Sequence, residues 1–160
     1  MFGPFAHTKN AGMPIASQLT DDIKKALKSR DTIRLATLRY ALAAIRRREV
    51  DERRSLEDSE VIQVLTKLVH QHEESAEAFR KAGRERDVQA AEEEIRVVST
   101  YLPPRLEEAE LLAVIDRVIA ETHALKPQDI GRVMGRLKVE LSGRADLAHV
   151  SAEVKARLTG

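Results

Sequence analysis

The sequence has no cysteine among its 160 residues. This absence excludes disulfide bonds, thiolate metal ligands and a cysteine nucleophile. A chain without disulfides is typical of a reducing compartment, so we predict a cytoplasmic protein. The sequence also has no apolar run near the roughly 18 residues that span a bilayer. We therefore expect no membrane partner.

A strong net charge is also missing, since 27 lysines and arginines face 26 aspartates and glutamates, which gives a formal charge of +1. No global field then draws the chain to nucleic acid or to a membrane surface. Any binding of an anion must come from local patches of basic residues.

The sequence divides at two adjacent prolines, Pro103 and Pro104. Proline lacks the backbone N–H that a helix needs and restricts the residue before it, so one helical unit stops here and another begins. We predict an N-terminal helical subdomain over residues 15–102 and a C-terminal subdomain over residues 103–160. Residues 1–14 lack the pattern of a secretory signal, and we expect a leader that is disordered or was added for expression.

Apolar residues recur every three or four positions on both sides of the prolines, which is the spacing of amphipathic helices. Four such segments precede the prolines and three follow them, so we predict an all-α fold with a four-helix bundle-like N-terminal subdomain and a small three-helix C-terminal subdomain. Ser17 or Thr20 is the expected cap of the first helix, and Asp146 of the last. Gly83 should stop a helix in the left-handed conformation, and Pro127 should open one.

One basic stretch lies between Arg30 and Arg54, where eight arginines face four acids. At 100° per residue, Tyr40, Arg47 and Arg54 fall on one line of a helix, opposite its leucines. An exposed aromatic ring beside arginines can stack on RNA bases and neutralise phosphates. The alternative is a solvated helix face whose Arg–Glu pairs contribute little.

A second basic stretch, residues 126–160, holds seven cations and four acids, whereas residues 103–125 carry a net charge of −3. Gly131 and Gly135 lie one helical turn apart within it, although glycine costs a helix up to about 1 kcal/mol relative to alanine. We therefore predict that another helix or a nucleic-acid backbone approaches closely. The candidates for nucleic-acid binding in the two stretches are Arg46, Arg47, Arg54, Arg132, Arg136, Arg144 and Lys155.

The sequence offers no set of residues that would make the chain an enzyme on its own. Release of ammonia from glutamine needs an activated serine or cysteine, and the acceptor needs phosphoryl activation. We find no glycine-rich phosphate loop and no serine with a plausible base, and we assign no catalytic residue and no cofactor. His70 and Glu74 have metal-ligand spacing but lack a third ligand, so we also predict no metal site.

Six short motifs follow one another along the chain: Asp58-Ser59-Glu60-Val61, Glu74-Ser75-Ala76 with Phe79, Ala82-Gly83-Arg84, Tyr101-Leu102-Pro103, Gly131-Arg132-Val133-Met134-Gly135 and Gly143-Arg144-Ala145-Asp146. In this order they resemble the GatB/YqeY family over about residues 15–158. The resemblance implies a larger N-terminal and a smaller C-terminal helical subdomain. It also implies architectural roles for Gly83, Tyr101, Leu102, Pro103, Gly131, Met134, Gly135, Gly143 and Asp146, with Arg144 free to reach a phosphate.

Members of this family form the helical tail of the GatB component of the tRNA-dependent amidotransferase and are appended to some glutaminyl-tRNA synthetases, where they help to hold tRNA. The resemblance therefore implies a non-catalytic module that supports tRNA binding in amidation or aminoacylation, with tRNA or a tRNA-handling complex as partner. The sequence does not determine the oligomeric state, and we favour a monomer. The alternatives are a protein adaptor that uses an apolar groove, and an accessory to a carbon–nitrogen ligase with glutamine as amido-nitrogen donor.

Three positions depart from the family pattern. His70-Gln71-His72 stands where the family usually has Lys-Gln-Arg, so an anion contact there should strengthen as histidine is protonated. Leu147 and His123 stand where the family tends to have glycine. The turn geometry at these two residues is the feature that the resemblance predicts least well.

Overall fold

The computed structural model describes residues 12–141 and 143–159. Most of the expected leader, residues 1–11, lies outside them. Within the described ranges the chain folds into helices and contains no strand, which confirms the predicted all-α class. None of the helices described has the length and apolar character that crossing a membrane requires.

Seven α-helices and one 3₁₀-helix make up the regular structure of the described ranges. They are α1 (Ile15–Ser29), α2 (Thr32–Glu52), α3 (Asp58–Lys81), α4 (Glu85–Ser99), α5 (Glu108–Glu121), a 3₁₀-helix (Pro127–Asp129), α6 (Ile130–Glu140) and α7 (Leu147–Thr159). The chain divides into two compact units between Pro103 and Pro104. Unit 1 contains α1 to α4, and unit 2 contains α5 to α7.

The core of unit 1 is a cluster of aliphatic side chains contributed by all four helices. Its fully buried members include Ile15, Leu19, Leu38, Ile45, Ile62, Leu65 and Val98. The connection between α3 and α4 is short because Gly83 adopts a φ of 70°, and the Arg84 amide donates back to the Phe79 carbonyl at 3.0 Å. Such a left-handed residue ends a helix and reverses the chain at little cost when it is glycine.

Tyr101, which the motif order places at the joint, is a member of the unit 1 core and is 1% exposed. A buried phenol needs a hydrogen-bond partner, and its hydroxyl donates to the carboxylate of Asp22 on α1. Burial and this carboxylate both raise the pKa of Tyr101. Pro103, the last residue of unit 1, is also buried.

The start of α1 differs from the prediction. The helix begins at Ile15, after Pro14, and not at Ser17 or Thr20. The free amide of Ile15 donates to Asp58 Oδ1 on α3 at 3.1 Å. A carboxylate that lies 43 residues away in the chain therefore does the work of a local cap, and a local sequence pattern cannot reveal it.

Unit 2 closes around a separate aliphatic cluster, which includes Ile115, Val118, Val133, Leu137, Leu141, Val150 and Val154. The sequence predicted that Pro127 opens an α-helix. Pro127 instead opens the 3₁₀-helix, and α6 begins one short turn later, at Ile130. Asp146 accepts the Ala148 amide at 3.0 Å at the start of α7. His123 has a φ of 53°, the left-handed conformation that explains why glycine suits this position.

Gly131 and Gly135 lie on an exposed side of α6. A Cβ atom added to either residue would meet no atom within 4 Å. Of the two alternatives, the close approach of another helix is therefore not found in the part of the chain that the structure describes, and the approach of a nucleic-acid backbone stays a prediction. Neither glycine is required there by the packing of unit 2.

Candidate nucleic-acid interface

A surface groove runs along unit 1 beside α2 and α3. It consists of two adjoining clefts of about 530 and 640 Å³, which share Tyr40 and Gln71 in their linings. We call the whole depression the α2–α3 groove, the first cleft its basic end and the second its apolar end. The basic end is lined by Tyr40, Ala44, Arg47, Arg48, Gln63, Val64, Lys67, Leu68 and Gln71. The apolar end is lined by Thr32, Ile33, Ala36, Thr37, Tyr40, Gln71, His72, Ser75, Ala90 and Glu94.

The sequence of α2 accounts for one wall of this groove. Ile33, Tyr40 and Arg47 are seven residues apart, which is close to two helical turns, so they lie on one side of the helix. Ala36 and Ala44, one turn on either side of Tyr40, are too small to cover its ring. Tyr40 is consequently 61% exposed although it lines a groove.

The basic end brings together three cations, Arg47, Arg48 and Lys67. None of the nine described residues that line it carries a carboxylate. Arg48 is paired with Glu52 at 2.5 Å, outside the lining. Arg47 and Lys67 are exposed, and neither has an ion-pair partner within residues 12–141 and 143–159. Their charge is therefore available to an anion from solution.

The apolar end has one carboxylate in its lining, that of Glu94. Ile33 is 51% exposed there, and His72 Nδ1 lies 2.7 Å from a carboxylate oxygen of Glu94. Ser75 lines the same cleft. No hydrogen bond joins its hydroxyl to His72 among the described residues, so the three side chains do not form the bonded chain of an activated serine.

Two of the candidate arginines in unit 1 are neutralised by nearby acids. Arg46 donates to Glu49 at 2.6 Å. The periodicity predicted that Arg54 lies on the same line of the helix as Tyr40 and Arg47. This prediction fails because α2 ends at Glu52 and the next residue is left-handed. Arg54 instead bonds Glu52 at 2.7 Å and Glu60 at 2.5 Å, and its guanidinium lowers the pKa of Glu60 to about 2.

The candidates on α6 are also ion-paired. Arg136 donates to Glu121 at 2.6 Å and to Glu140 at 3.2 Å. Arg117 on α5 bonds the same two glutamates, and these hydrogen bonds lower the pKa of each carboxyl. Arg132 lies 3.4 Å from Asp129. The charges of Arg132 and Arg136 are thus paired with nearby carboxylates.

Arg144 and Lys155 complete the predicted set. Arg144 Nε donates to the Pro104 carbonyl at 3.4 Å, while the Arg144 carbonyl accepts the Leu106 amide at 2.9 Å. Lys155 is exposed and has no ion-pair partner in the described part of unit 2. These contacts give Arg144 a structural role in holding the start of unit 2, and leave Lys155 as an isolated cation.

Sequence reasoning missed Lys67 and Gln63, two residues of α3 that line the basic end of the groove. Each is an ordinary polar residue of an amphipathic helix, and only the packing of α3 against α2 places it beside Tyr40 or Arg47. The sequence of α3 alone therefore could not identify these residues, because their place in the groove depends on tertiary packing. A helical net of both helices with their buried faces aligned would have identified Lys67.

Unit 2 contains one described group with metal-ligand chemistry. Ligand atoms of Glu108, His149 and Glu153 lie within 4.8 Å of one another. His149 Nε2 is 2.9 Å from Glu108 Oε1, and this contact raises the pKa of His149. Glu153 also accepts from Arg157 at 2.6 Å. The three side chains could hold a cation, but ion pairing among themselves and with Arg157 already accounts for their arrangement.

A family model described as Yqey-like protein matches residues 16–158. The chain belongs to this family. The match covers almost all of both units of this YqeY-like chain, including the α2–α3 groove. It confirms the resemblance that the six motifs indicated.

Similar curated proteins carry the name Altered inheritance of mitochondria protein 41, mitochondrial. The one from Lachancea thermotolerans is 31% identical over 114 residues, which cover 69% of the YqeY-like chain and 61% of the relative. The one from Eremothecium gossypii is 32% identical over 117 residues, which cover 69% and 64%. The match thus spans somewhat less than two thirds of each relative.

These names overturn the expected cytoplasmic location. All four matching relatives are named as mitochondrial proteins. The prediction was wrong because it used the absence of cysteine, which disfavours an oxidising compartment but cannot distinguish one reducing compartment from another.

Proposed function

We propose that this YqeY-like chain is a non-catalytic module that binds RNA, with tRNA as the expected partner, through the α2–α3 groove. The observation that carries the proposal is the exposed ring of Tyr40 beside Arg47 and Lys67, at a groove end with no carboxylate in its lining. The family resemblance supports tRNA as the kind of RNA and support of amidation or aminoacylation as the setting.

The chemistry of the groove suits a nucleic acid better than a small anion. Arginine and lysine neutralise backbone phosphates, and most of the affinity then comes from the release of counterions. An exposed aromatic ring adds stacking with a base, which a free phosphate cannot use. Tyr40 lines both clefts of the groove, so one ligand can contact the ring and the cations together.

The other predicted arginines are poorer candidates for the contact. Arg46, Arg54 and Arg136 each have a carboxylate within hydrogen-bond distance. Phosphate binding at these residues would replace an existing ion pair, so the gain in free energy would be small. Arg47 and Lys67 need no such exchange.

A second candidate function is a protein adaptor. The exposed side chains of Ile33 and Tyr40 at the apolar end favour it, because exposed apolar surface in a groove is typical of sites that accept a partner helix. Such a partner should be acidic, since it would also lie against the basic end.

Binding of fluorescently labelled tRNA, measured by anisotropy across a salt series, tests the proposal. The test variant is Arg47→Glu/Lys67→Glu. The matched control is Lys24→Glu/Lys28→Glu, which makes the same change in net charge at exposed positions on α1 that have no ion pair within the described ranges. We expect the test variant to bind at least tenfold more weakly at low salt, and the slope of log K against log salt to fall by about one for each phosphate that is no longer neutralised.

The control should keep most of the affinity and the slope of the wild type. Equal losses of affinity in the two variants would mean that net charge alone matters and would contradict binding at the groove. Failure of the wild type to bind tRNA at low salt would overturn RNA binding. The adaptor function would then be tested with acidic amphipathic peptides.

A further inference from the structure

We propose that the α2–α3 groove accepts an unpaired nucleotide of an RNA strand, with its base stacked on Tyr40 and adjacent phosphates held by Arg47 and Lys67. The inference rests on the proposed RNA binding and specifies which feature of an RNA the groove recognises. It arises from the division of one groove into an apolar and a basic end that meet at Tyr40.

A nucleotide has the same division into two parts. Its base presents a flat apolar face, and its phosphate carries a negative charge. The apolar end of the groove offers Ile33, Ala36 and the ring of Tyr40, while the basic end offers Arg47 and Lys67. Because Tyr40 and Arg47 are seven residues apart on one helix, about 10 Å separates their backbone positions. This distance is suited to a short stretch of a single strand.

The ring of Tyr40 is free to receive a base. It is 61% exposed, and its neighbours one turn away on α2 are Ala36 and Ala44, which do not reach over it. Stacking of one base on an aromatic side chain strengthens binding by roughly fivefold to a hundredfold. A phenylalanine ring should serve nearly as well, because stacking uses the ring face and not the hydroxyl.

Double-stranded RNA does not meet these requirements. Its base faces are covered by the neighbouring bases, and its major groove is too deep and narrow for side chains to read. Tyr40 lies in the lining of the groove. A base must therefore leave its stack and enter the groove, which an unpaired nucleotide does at the lowest cost.

Polar groups around Tyr40 can bond the edges of such a base. Gln71 is shared by both ends of the groove, and its amide can donate and accept hydrogen bonds. Ser75 adds a hydroxyl at the apolar end. Both types of group tolerate more than one base, so the site should select unpaired RNA more strongly than it selects a sequence.

The test compares an unstructured RNA oligonucleotide with a blunt duplex that has the same number of phosphates per strand. The chain contains no tryptophan, so Tyr40→Trp places a single fluorescent indole in the groove. We expect the single strand to quench this fluorescence and the duplex to leave it nearly unchanged at the same concentration. Tyr40→Ala should bind the single strand about tenfold more weakly with an unchanged salt slope, and Tyr40→Phe should bind within about twofold of wild type.

The outcomes separate this inference from the proposed function. If Tyr40→Ala binds the single strand as tightly as wild type while Arg47→Glu/Lys67→Glu loses binding, the stacking inference is overturned and RNA binding stands. Equal quenching of Tyr40→Trp by duplex and single strand would also overturn it. If wild type binds neither RNA, the proposed function fails together with the inference. Circular dichroism of Tyr40→Ala should match wild type, because the side chain is exposed.

Discussion

Both units of the chain carry arginine-rich helices, but Arg47 and Lys67 of unit 1 have surroundings that differ from those of Arg136 and Arg157 in unit 2. In unit 1, Arg47 and Lys67 face a groove with no carboxylate in its lining. In unit 2, Arg136 is held between two glutamates, and Arg157 bonds Asp116 and Glu153, each at 2.6 Å. The first arrangement leaves charge for a ligand, whereas the second uses charge to join helices.

The difference shows why a charge count along the sequence is a poor guide to binding. Residues 126–160 carry an excess of cations and residues 103–125 an excess of acids. Folding of unit 2 brings the two stretches together in the contacts of Arg136 with Glu121, Arg157 with Asp116, and His149 with Glu108. Part of the basic charge that suggested a second basic surface is therefore paired with acids of the preceding stretch in the folded unit.

The largest expected effect concerns what stabilises each unit. If ion pairs only supplement the aliphatic clusters, Leu137→Ala in unit 2 and Leu65→Ala in unit 1 should each lower the free energy of unfolding by about 2–5 kcal/mol, because both side chains are completely buried. Urea denaturation, monitored by the hydrogen exchange of the amides in each unit, measures the change in the free energy of unfolding. The comparison would be reversed if Leu137→Ala cost less than removal of an ion pair in the same unit.

A smaller effect should separate the two kinds of arginine. The Arg157 side chain is 25% exposed and bonds two carboxylates, so Arg157→Met should lower the free energy of unfolding by about 1 kcal/mol or less. Arg47→Met should change it by no more than about 0.5 kcal/mol in either direction, as is usual at exposed positions. Both variants are compared by urea denaturation at low salt and in about 1 M salt.

High salt should narrow the gap between these variants, since it screens the exposed part of the Arg157 network. A loss of stability in Arg47→Met equal to that in Arg157→Met would show that Arg47 also has a structural role. Its availability to a ligand would then be doubtful.

The smallest expected effect is a dependence on pH in unit 2. The hydrogen bond that His149 donates to the Glu108 carboxylate, and then the charge of that carboxylate, raise the pKa of His149, so the folded state binds the proton more tightly than the unfolded state does. The stability that results is fully present below about pH 6.5, the ordinary histidine pKa, and is lost as pH rises through the raised value. The melting temperature of wild type should therefore exceed that of His149→Gln most clearly near about pH 5.5, and the two should converge above about pH 8.

Glu108→Gln provides the control, because it removes the cause of the shift and leaves the histidine in place. It should show the same loss at the acidic end of the series. The exposure of both side chains keeps the effect small. A difference between wild type and His149→Gln that persists unchanged at the alkaline end would point to packing in place of protonation.

The sequence was most informative where contacts are local. Periodicity predicted the helical class, and helical geometry placed Tyr40 and Arg47 on one face because both lie within α2. The same geometry failed for Arg54, since the helix ends two residues earlier. Apolar spacing alone could not show that α1 begins at Ile15, because its capping carboxylate belongs to α3.

The candidate site was only half predictable for the same reason. One wall of the α2–α3 groove is a single helix and could be read from its sequence. The other wall depends on which face of α3 packs against α2, and this determines that Lys67 lies in the basic end. The neutralisation of Arg136 by Glu121, 15 residues earlier in the chain, required the packing of α5 against α6.

The hydrogen bond between Tyr101 and Asp22 has a consequence for how unit 1 is made. The two residues are 79 positions apart, whereas most contacts between helices of a small bundle form early because they are closer in sequence. Closing so long a loop costs more entropy than closing a short one. On the ribosome, α1 emerges first, and the buried carboxylate of Asp22 has no phenol to meet until synthesis has passed Tyr101. The buried contact of α1 with Tyr101 therefore cannot form, and unit 1 cannot be completed, until the chain has been synthesised through Tyr101.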